Sequence, residues 1–510
     1  MNLRESASID RPIGALVASS AYDLARHVAR TWAAPALIVC VAAFLRLYRL
    51  ELQAWTPDTY EQMAAASRLI GGDFPLSRLY PPGIAVTLAP AYLIFPDTLA
   101  TMQGVIVVFS LALVVLAYVW SRRMMGDERA ALMAAFSVAA LPLFVYFSRD
   151  GLFDIIGTAW LLSAVLGANI VRGRGWVAGL AYGLVLAVAI NIRASNIAIL
   201  PAVLIYGLAP TADQRPRAGM RTIVAAGAAM TALTLAGIVA GGWFGTAGGG
   251  AMTLSRYAGN VGFYLSVIMG GALYAPFIVP LALAGGRRLW TRDRAFVMAA
   301  TYMVIAWPLM HAPFLFANHR YMLAPLFLML LLSAHGASAL LAGAPNSGWA
   351  PIRRTLGAPA VILFVSALLV GGAGTARHWG RNASSSDEAA FRELRPVVAG
   401  LPADSLLVGA VLRGVQGANE DITHLDLIDH SLATGNTPEK VDEITGIVET
   451  SLTAGQPVYY VYSRFEANGD DLGKGGTGYD AYFDAITREF EATVIYQTSV
   501  EKFRLYRIMP

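Results

Sequence analysis

Of the chain's 510 residues, 56% are apolar and only 14% charged, and the mean hydropathy is +0.54. Soluble globular proteins carry about 25% charged residues, so composition excludes a string of soluble domains and places most of the chain in a bilayer. The net charge of +4 hides a split: positions 1–380 hold 27 Lys+Arg and 14 Asp+Glu, positions 381–510 hold 11 and 20, and one cysteine, Cys40, excludes a disulfide framework.

Residues 1–30 are too polar for a cleavable signal and are expected as a cytoplasmic segment. Apolar stretches long enough to cross a bilayer lie near 32–50, 99–120, 129–147, 154–171, 176–192, 194–210, 221–243, 261–284, 295–312, 320–342 and 356–374. A shorter one, 83–95, cannot cross a core of about 30 Å unaided. If it does not cross, every dense arginine cluster falls on the side of the basic N-terminus: Arg122, Arg123 and Arg129; Arg172 and Arg174; Arg215, Arg217 and Arg221; Arg287, Arg288, Arg292 and Arg294; Arg353 and Arg354. The positive-inside rule makes that side cytoplasmic. The expected architecture is therefore a polytopic α-helical membrane protein. It has about eleven transmembrane helices over 31–376, a first external loop 51–98 containing a half-inserted helix 83–95, and an extracytoplasmic domain over 377–510.

Seven acids then face outward: Glu51, Asp58, Glu61, Asp73, Asp97, Asp150 and Asp154. Pro57 followed by Asp58 predicts a helix start, with Glu61 at helical spacing; Asp58 reads equally as its N-cap. The turn "YFSRDGLFD" sets Arg149, Asp150 and Asp154 against two apolar spans, and ionisable groups at membrane depth mark function. Asp154 also reads as a helix N-cap. Outward arginines break the positive-inside pattern. Headgroup contact or snorkelling accounts for Arg46, Arg49 and Arg256, whereas Arg193 in "AINIRASN" and Arg320, flanked by His319 and Tyr321, are candidates for binding phosphate oxygens. Carboxylates beside arginines suit chemistry on an anionic lipid-linked substrate: a carboxylate takes a proton from a hydroxyl, and guanidiniums meet the charge growing on a phosphate leaving group.

Residues 378–510 alternate helical and strand patterns. "DEAAFRELRPVVAGL", "TPEKVDEITGIVETSLTAG" and "YDAYFDAITREF" read as helices, "DSLLVGAVL" and "PVYYVYS" as buried strands, and "EATVIYQT" with "KFRLYRI" as a terminal hairpin. An α/β layered domain follows.

The layout over 30–345 resembles the GT-C glycosyltransferases that use polyprenyl-phosphate sugars, among them protein O-mannosyltransferases and aminoarabinose transferases. The residues that carry the resemblance are "PDTYEQ", "RLYPPG", Ser148-Arg149 followed by Asp154, "GLAYGLVLAVAINIR" and "RYMLAP". Thr59 stands where many members have a second acid, which weakens any metal-binding expectation. The resemblance implies an inverting transfer of a sugar from a polyprenyl-phosphate donor to a hydroxyl of a glycan, lipid or protein, at the outer face of a bacterial plasma membrane. Asp58 would be the general base and Asp154 would orient the acceptor or the sugar. Arg193, Arg320, His319, Tyr321 and Arg78 would hold the donor phosphate, and Tyr80, Glu61, Arg149 and Asp150 would border the acceptor or sugar. No metal, cofactor or nucleic acid is expected. A transporter or lipid-linked-sugar flippase is the competing reading, although inverted repeats and midplane charges are not evident.

Overall fold

The predicted apolar stretches are helices in the computed structural model, but a proline cuts one of them at a place hydropathy does not reveal. The structure describes residues 32–50, 57–74, 76, 81–149, 152–171, 174–208, 220–240, 253–274, 278–313, 318–342, 350–381, 387–410, 412–415, 418–431, 437–463, 480–499 and 503–510. In chain order the helices of the apolar part are α1 (Trp32–Leu47), α2 (Pro57–Gly71), α3 (Gly83–Tyr92), α4 (Leu99–Met125), α5 (Glu128–Ala140), α6 (Pro142–Phe147), α7 (Asp154–Ile170) and α8 (Gly175–Ile192). After a 3-10 turn (Ala194–Ile199) come α9 (Leu200–Leu208), α10 (Met220–Ala240), α11 (Leu254–Tyr274), α12 (Ile278–Trp290) and α13 (Arg294–His311). A second 3-10 turn (His319–Met322) leads into α14 (Leu323–Ala342) and α15 (Ala350–Arg381). Among the described residues five helices are long and apolar enough to cross a membrane: Leu99–Met124, Gly175–Ile192, Arg221–Val239, His319–Ala342 and Ala358–Arg377.

Two expected boundaries move, and of the stretch 261–284 the structure describes helix through Tyr274 and again from Ile278. The short helix expected over 83–95 stops at Tyr92. The stretch 129–147 is broken at Leu141, whose ψ of 123° is extended, because Pro142 restarts the helix as its first residue.

That break explains Arg46, which sits fully buried in the bundle and not at a headgroup. In an unbroken helix the carbonyl of Val138 would receive the N–H of residue 142, and proline has none. The Arg46 guanidinium takes over, donating to Val138 O (3.3 Å), Ala139 O (2.8 Å) and Ser110 Oγ (2.6 Å). Backbone carbonyls at membrane depth must be satisfied inside the protein. Small residues set the helix crossings. Gly285 and Gly336 each lie where a Cβ would strike the other helix's backbone, so α12 and α14 touch backbone to backbone. Likewise, a Cβ on Gly83 would lie 2.6 Å from the backbone of Asn191 and Ile192, so the start of α3 rests on the end of α8.

The remainder builds a five-stranded sheet in the order β2-β1-β3-β5-β4. Its elements are α16 (Asp387–Ala399), β1 (Leu406–Gly409), β2 (Thr423–Asp426), α17 (Leu427–Ser431), α18 (Pro438–Thr453), β3 (Val458–Ser463), α19 (Asp480–Glu489), β4 (Glu491–Gln497) and β5 (Phe503–Met509). β1 runs parallel to β2 and β3, and β5 antiparallel to β3 and β4. β1 is buried along its length, as a strand covered on both faces requires. Phe391 of α16 stacks on Phe503 of β5 at 4.5 Å and 19°. Its short helix α17 packs against α2, whose residues Thr59 to Ala66 are all buried.

Candidate functional site

Four helix ends meet at one end of the bundle: the starts of α7 and α14 and the finishes of α8 and α13. Their side chains line a pocket that opens to solvent. Asp154, the first residue of α7, is one of its lining residues. Its Oδ1 accepts from Arg193 Nη2 at 2.5 Å, and its Oδ2 is 3.6 Å from Arg320 Nη1, an ion pair too long for a hydrogen bond. One carboxylate therefore holds two guanidiniums, and the three charges sum to a surplus of one positive charge.

Local backbone aims both arginines. Arg193 closes α8 in an extended conformation (φ −150°, ψ 135°), which turns its side chain back over the cavity. Asn196 makes that turn self-sufficient: its N–H donates to Arg193 O (2.9 Å), and its Nδ2 donates to Ala189 O (2.7 Å) near the end of α8. Arg320 follows Asn318, whose Oδ1 accepts the Arg320 N–H at 3.1 Å. Trp307 pins the same turn by donating from Nε1 to Tyr321 O at 2.7 Å. Both guanidiniums lie over the Tyr321 ring, at 4.6 Å for Arg193 and 5.4 Å for Arg320, and Arg193 also lies 5.2 Å from the Phe153 ring. Flat aromatic faces hold the two cations in place beside the carboxylate.

The structure brings together Asp154, Arg193, Arg320 and Tyr321 as expected site residues. It separates others. Arg149 is buried, 1% exposed, and serves the end of α1: it donates to Leu45 O (2.9 Å), Tyr48 O (2.8 Å) and Arg49 O (3.1 Å) and does not line the cavity. The guanidinium is consumed by carbonyls that a helix end at membrane depth leaves over. His319 packs edge to face on Phe263 at 4.8 Å, outside the cavity lining. Glu61 is buried within α2 and is not part of the lining either. Asp58 is the second residue of α2; its side chain, together with Arg78, Tyr80 and Asp150, lies outside the described residues.

Sequence reading missed His311 and Trp307, which stand one turn apart on α13 and both line the cavity. The pair "WPLMH" at the end of an apolar span was a usable signal, because an i, i+4 pair shares one helix face. Thr158 and Asn196 were missed as well. Among the described residues no group of three His, Cys, Asp or Glu side chains is placed to hold a metal ion.

A bundle of apolar helices with two guanidiniums and one carboxylate gathered at one end defines the class as a membrane-embedded helical protein. The comparisons fit that architecture. A family model described as dolichyl-phosphate-mannose-protein mannosyltransferase matches residues 80–239, a stretch that contains α3, Asp154 and Arg193. ArnT from Cupriavidus metallidurans bound to undecaprenyl phosphate is 15% identical with a TM-score of 0.62, over 92% of this chain and 97% of that one. Its apo form gives the same identity and score over 94% and 98%. The apo oligosaccharyltransferase of Archaeoglobus fulgidus is 12% identical with a TM-score of 0.51, over 93% and 74%. No curated protein matches the chain. The resemblance to GT-C glycosyltransferases carried by the sequence motifs thus extends to the fold.

Proposed function

We propose that the protein is an inverting glycosyltransferase that moves a sugar from a polyprenyl-phosphate donor to an acceptor hydroxyl of a glycan, lipid or protein. The observation that carries this reading is Asp154 shared between Arg193 and Arg320 at the rim of an open cavity. Their surplus positive charge matches the single negative charge of a phosphodiester. In the reaction the acceptor oxygen attacks the anomeric carbon, and the bond from that carbon to the phosphate oxygen breaks. Its electron pair stays on the phosphate, and the acceptor's proton passes to Asp58. Arg193 and Arg320 meet the charge that grows on the leaving phosphate, which is the role oriented donors play best. With guanidiniums in that role, the reaction proceeds without a metal. Asp154 acts as a positioning residue for the arginines. Arg78 and Tyr80 border the lipid's path to the clamp.

The reaction face is extracytoplasmic. About eleven spans, with 83–92 not crossing and α11 and α12 counted together, put the N-terminus in the cytoplasm of a bacterial cell and residues 387–510 outside.

The test uses purified full-length protein, a labelled polyprenyl-phosphate sugar and the Asp58→Asn variant. Removing a general base costs on the order of 10²–10⁴-fold in turnover, and binding of polyprenyl phosphate is retained. Full turnover by Asp58→Asn would remove that residue from the mechanism. Movement of donor across a vesicle without transfer would replace the enzyme with a transporter.

A further inference from the structure

The clamp takes up the charged rim of the cavity, and the rest of the lining is uncharged. Thr158 lies one turn inward from Asp154 on α7, Trp307 one turn inward from His311 on α13, and Asn196 follows Arg193 in the 3-10 turn. His311 is fixed in direction by its neighbours. It is 1% exposed, and its ring lies 4.6 Å from Trp307 at 34° and 5.2 Å from Tyr321 at 35°. Its Nδ1 is 3.0 Å from Trp307 O, so in the neutral ring Nδ1–H donates and Nε2 carries the lone pair. Ser195 Oγ stands 3.5 Å from that Nε2, a long contact that a ligand hydroxyl can replace or join. The Tyr321 ring that flanks His311 also carries both guanidiniums. His311 is therefore about one ring away from the clamp, which is the reach of a sugar joined to the clamped phosphate.

We infer that His311 reads the donor sugar: its Nε2 accepts a hydrogen bond from a ring hydroxyl of an uncharged sugar. This rests on the polyprenyl-phosphate-sugar reading above. Trp307 offers an apolar ring beside it, and Thr158 and Asn196 add neutral polar atoms. A sugar with an ammonium group is disfavoured. Among the described lining residues Asp154 is the sole carboxylate, and two guanidiniums already share it. An unpaired charge in such a space is costly. A site that hydrogen-bonds a substrate hydroxyl discriminates strongly against the analogue that lacks it, because its own polar atom is then left unpaired.

The experiment compares wild type, His311→Leu and His311→Gln in full-length detergent-purified protein. The donors share one polyprenyl phosphate and carry a neutral hexose, each of its monodeoxy forms, or an amino-sugar counterpart. Binding of polyprenyl phosphate without sugar is followed in parallel by intrinsic tryptophan fluorescence. His311→Leu is expected to lose about 10–100-fold in kcat/KM on the hexose, the size of one buried hydrogen bond with its unpaired partner. One monodeoxy donor loses the same factor with wild type and nothing further with His311→Leu. His311→Gln keeps an acceptor and recovers most of the loss, the amino-sugar donor is the poorest, and polyprenyl-phosphate affinity stays within twofold. Additive losses for every monodeoxy donor, a preference for the amino sugar, or loss of polyprenyl-phosphate binding in His311→Leu overturns the inference while leaving the glycosyltransferase reading intact. Transfer by wild type from none of the donors overturns both.

Discussion

Asp154 is one carboxylate between two guanidiniums. It offsets one of their charges, contacts both, and leaves the three groups net positive. Asp154→Asn keeps an oxygen acceptor and removes the charge. Loss of a charge-assisted hydrogen bond is worth about 10–100-fold, so kcat/KM for the donor falls by that factor. Under the proposed mechanism, with Asp58 as the base, the acid limb of the pH–rate profile stays in place. Disappearance of that limb in Asp154→Asn would return Asp154 to the role of base. Arg149, five positions earlier, makes the contrast. It shares the turn and the residue type of a phosphate ligand, but its N–H groups are spent on the carbonyls of residues 45, 48 and 49.

Helix ends and strand ends carry the next level of organisation. The break at Leu141 strands the carbonyl of Val138, and Arg46 repairs it from another helix. Arg46→Leu exposes carbonyls at membrane depth that have no replacement donor, a cost of about 1–3 kcal/mol each, and lowers the thermal midpoint in detergent. Adding Pro142→Ala returns an N–H to Val138 and recovers part of the loss. Equal midpoints for the single and double variants would disprove the repair. In the sheet domain, Ser499 ties the end of β4 to α16. Its N–H (2.7 Å) and hydroxyl (2.5 Å) both donate to Glu393 and hold that carboxyl below the usual carboxylate range. A depressed folded-state pKa contributes stability above the unfolded value near ~4.3 and loses it as pH falls through the folded one. Hydrogen exchange in β4 and β5 is therefore slower in wild type than in Glu393→Gln near neutral pH, and the two converge only once pH falls below the depressed folded-state value. A gap that persists there would assign the protection to something other than this carboxylate.

Across the whole molecule the parts are tied in sequence toward the cavity. α17 of the sheet domain packs on α2, α2 packs on α3, and Gly83 at the head of α3 rests on the backbone just before Arg193. The sheet domain and the clamp therefore share one end of the bundle, and the opposite end holds Asp127, paired with Arg288 at 3.2 Å and with Ser338. Proposed topology makes the clamp end extracytoplasmic. Cys40 is the single native thiol, so a Cys40→Ser background accepts one reporter at a time. An impermeant maleimide should label Thr450→Cys in intact cells and Thr291→Cys only after lysis. The reverse pattern would invert the protein in the membrane.

Hydropathy and charge decide what each stretch dissolves in, which is why the helices over 99–125, 154–170 and 175–192 and the strands over 458–463 and 503–509 were legible from one sequence. Asp154, Arg193 and Arg320 were legible too, because an ionisable group beside an apolar span is conspicuous whatever its neighbours. Position along the chain does not say which carbonyl or anion a guanidinium meets. Arg46 serves a break 92 residues away, Arg149 a helix end 104 residues away, and Arg193 a carboxylate 39 residues away. His311 came to the pocket through the same kind of packing, against Tyr321. The sequence determined which segments leave water and which charges are exceptional. Only the tertiary structure decided which of those charges are spent on the backbone and which meet one another at the pocket, because a buried donor goes to whichever acceptor the fold brings within about 3 Å.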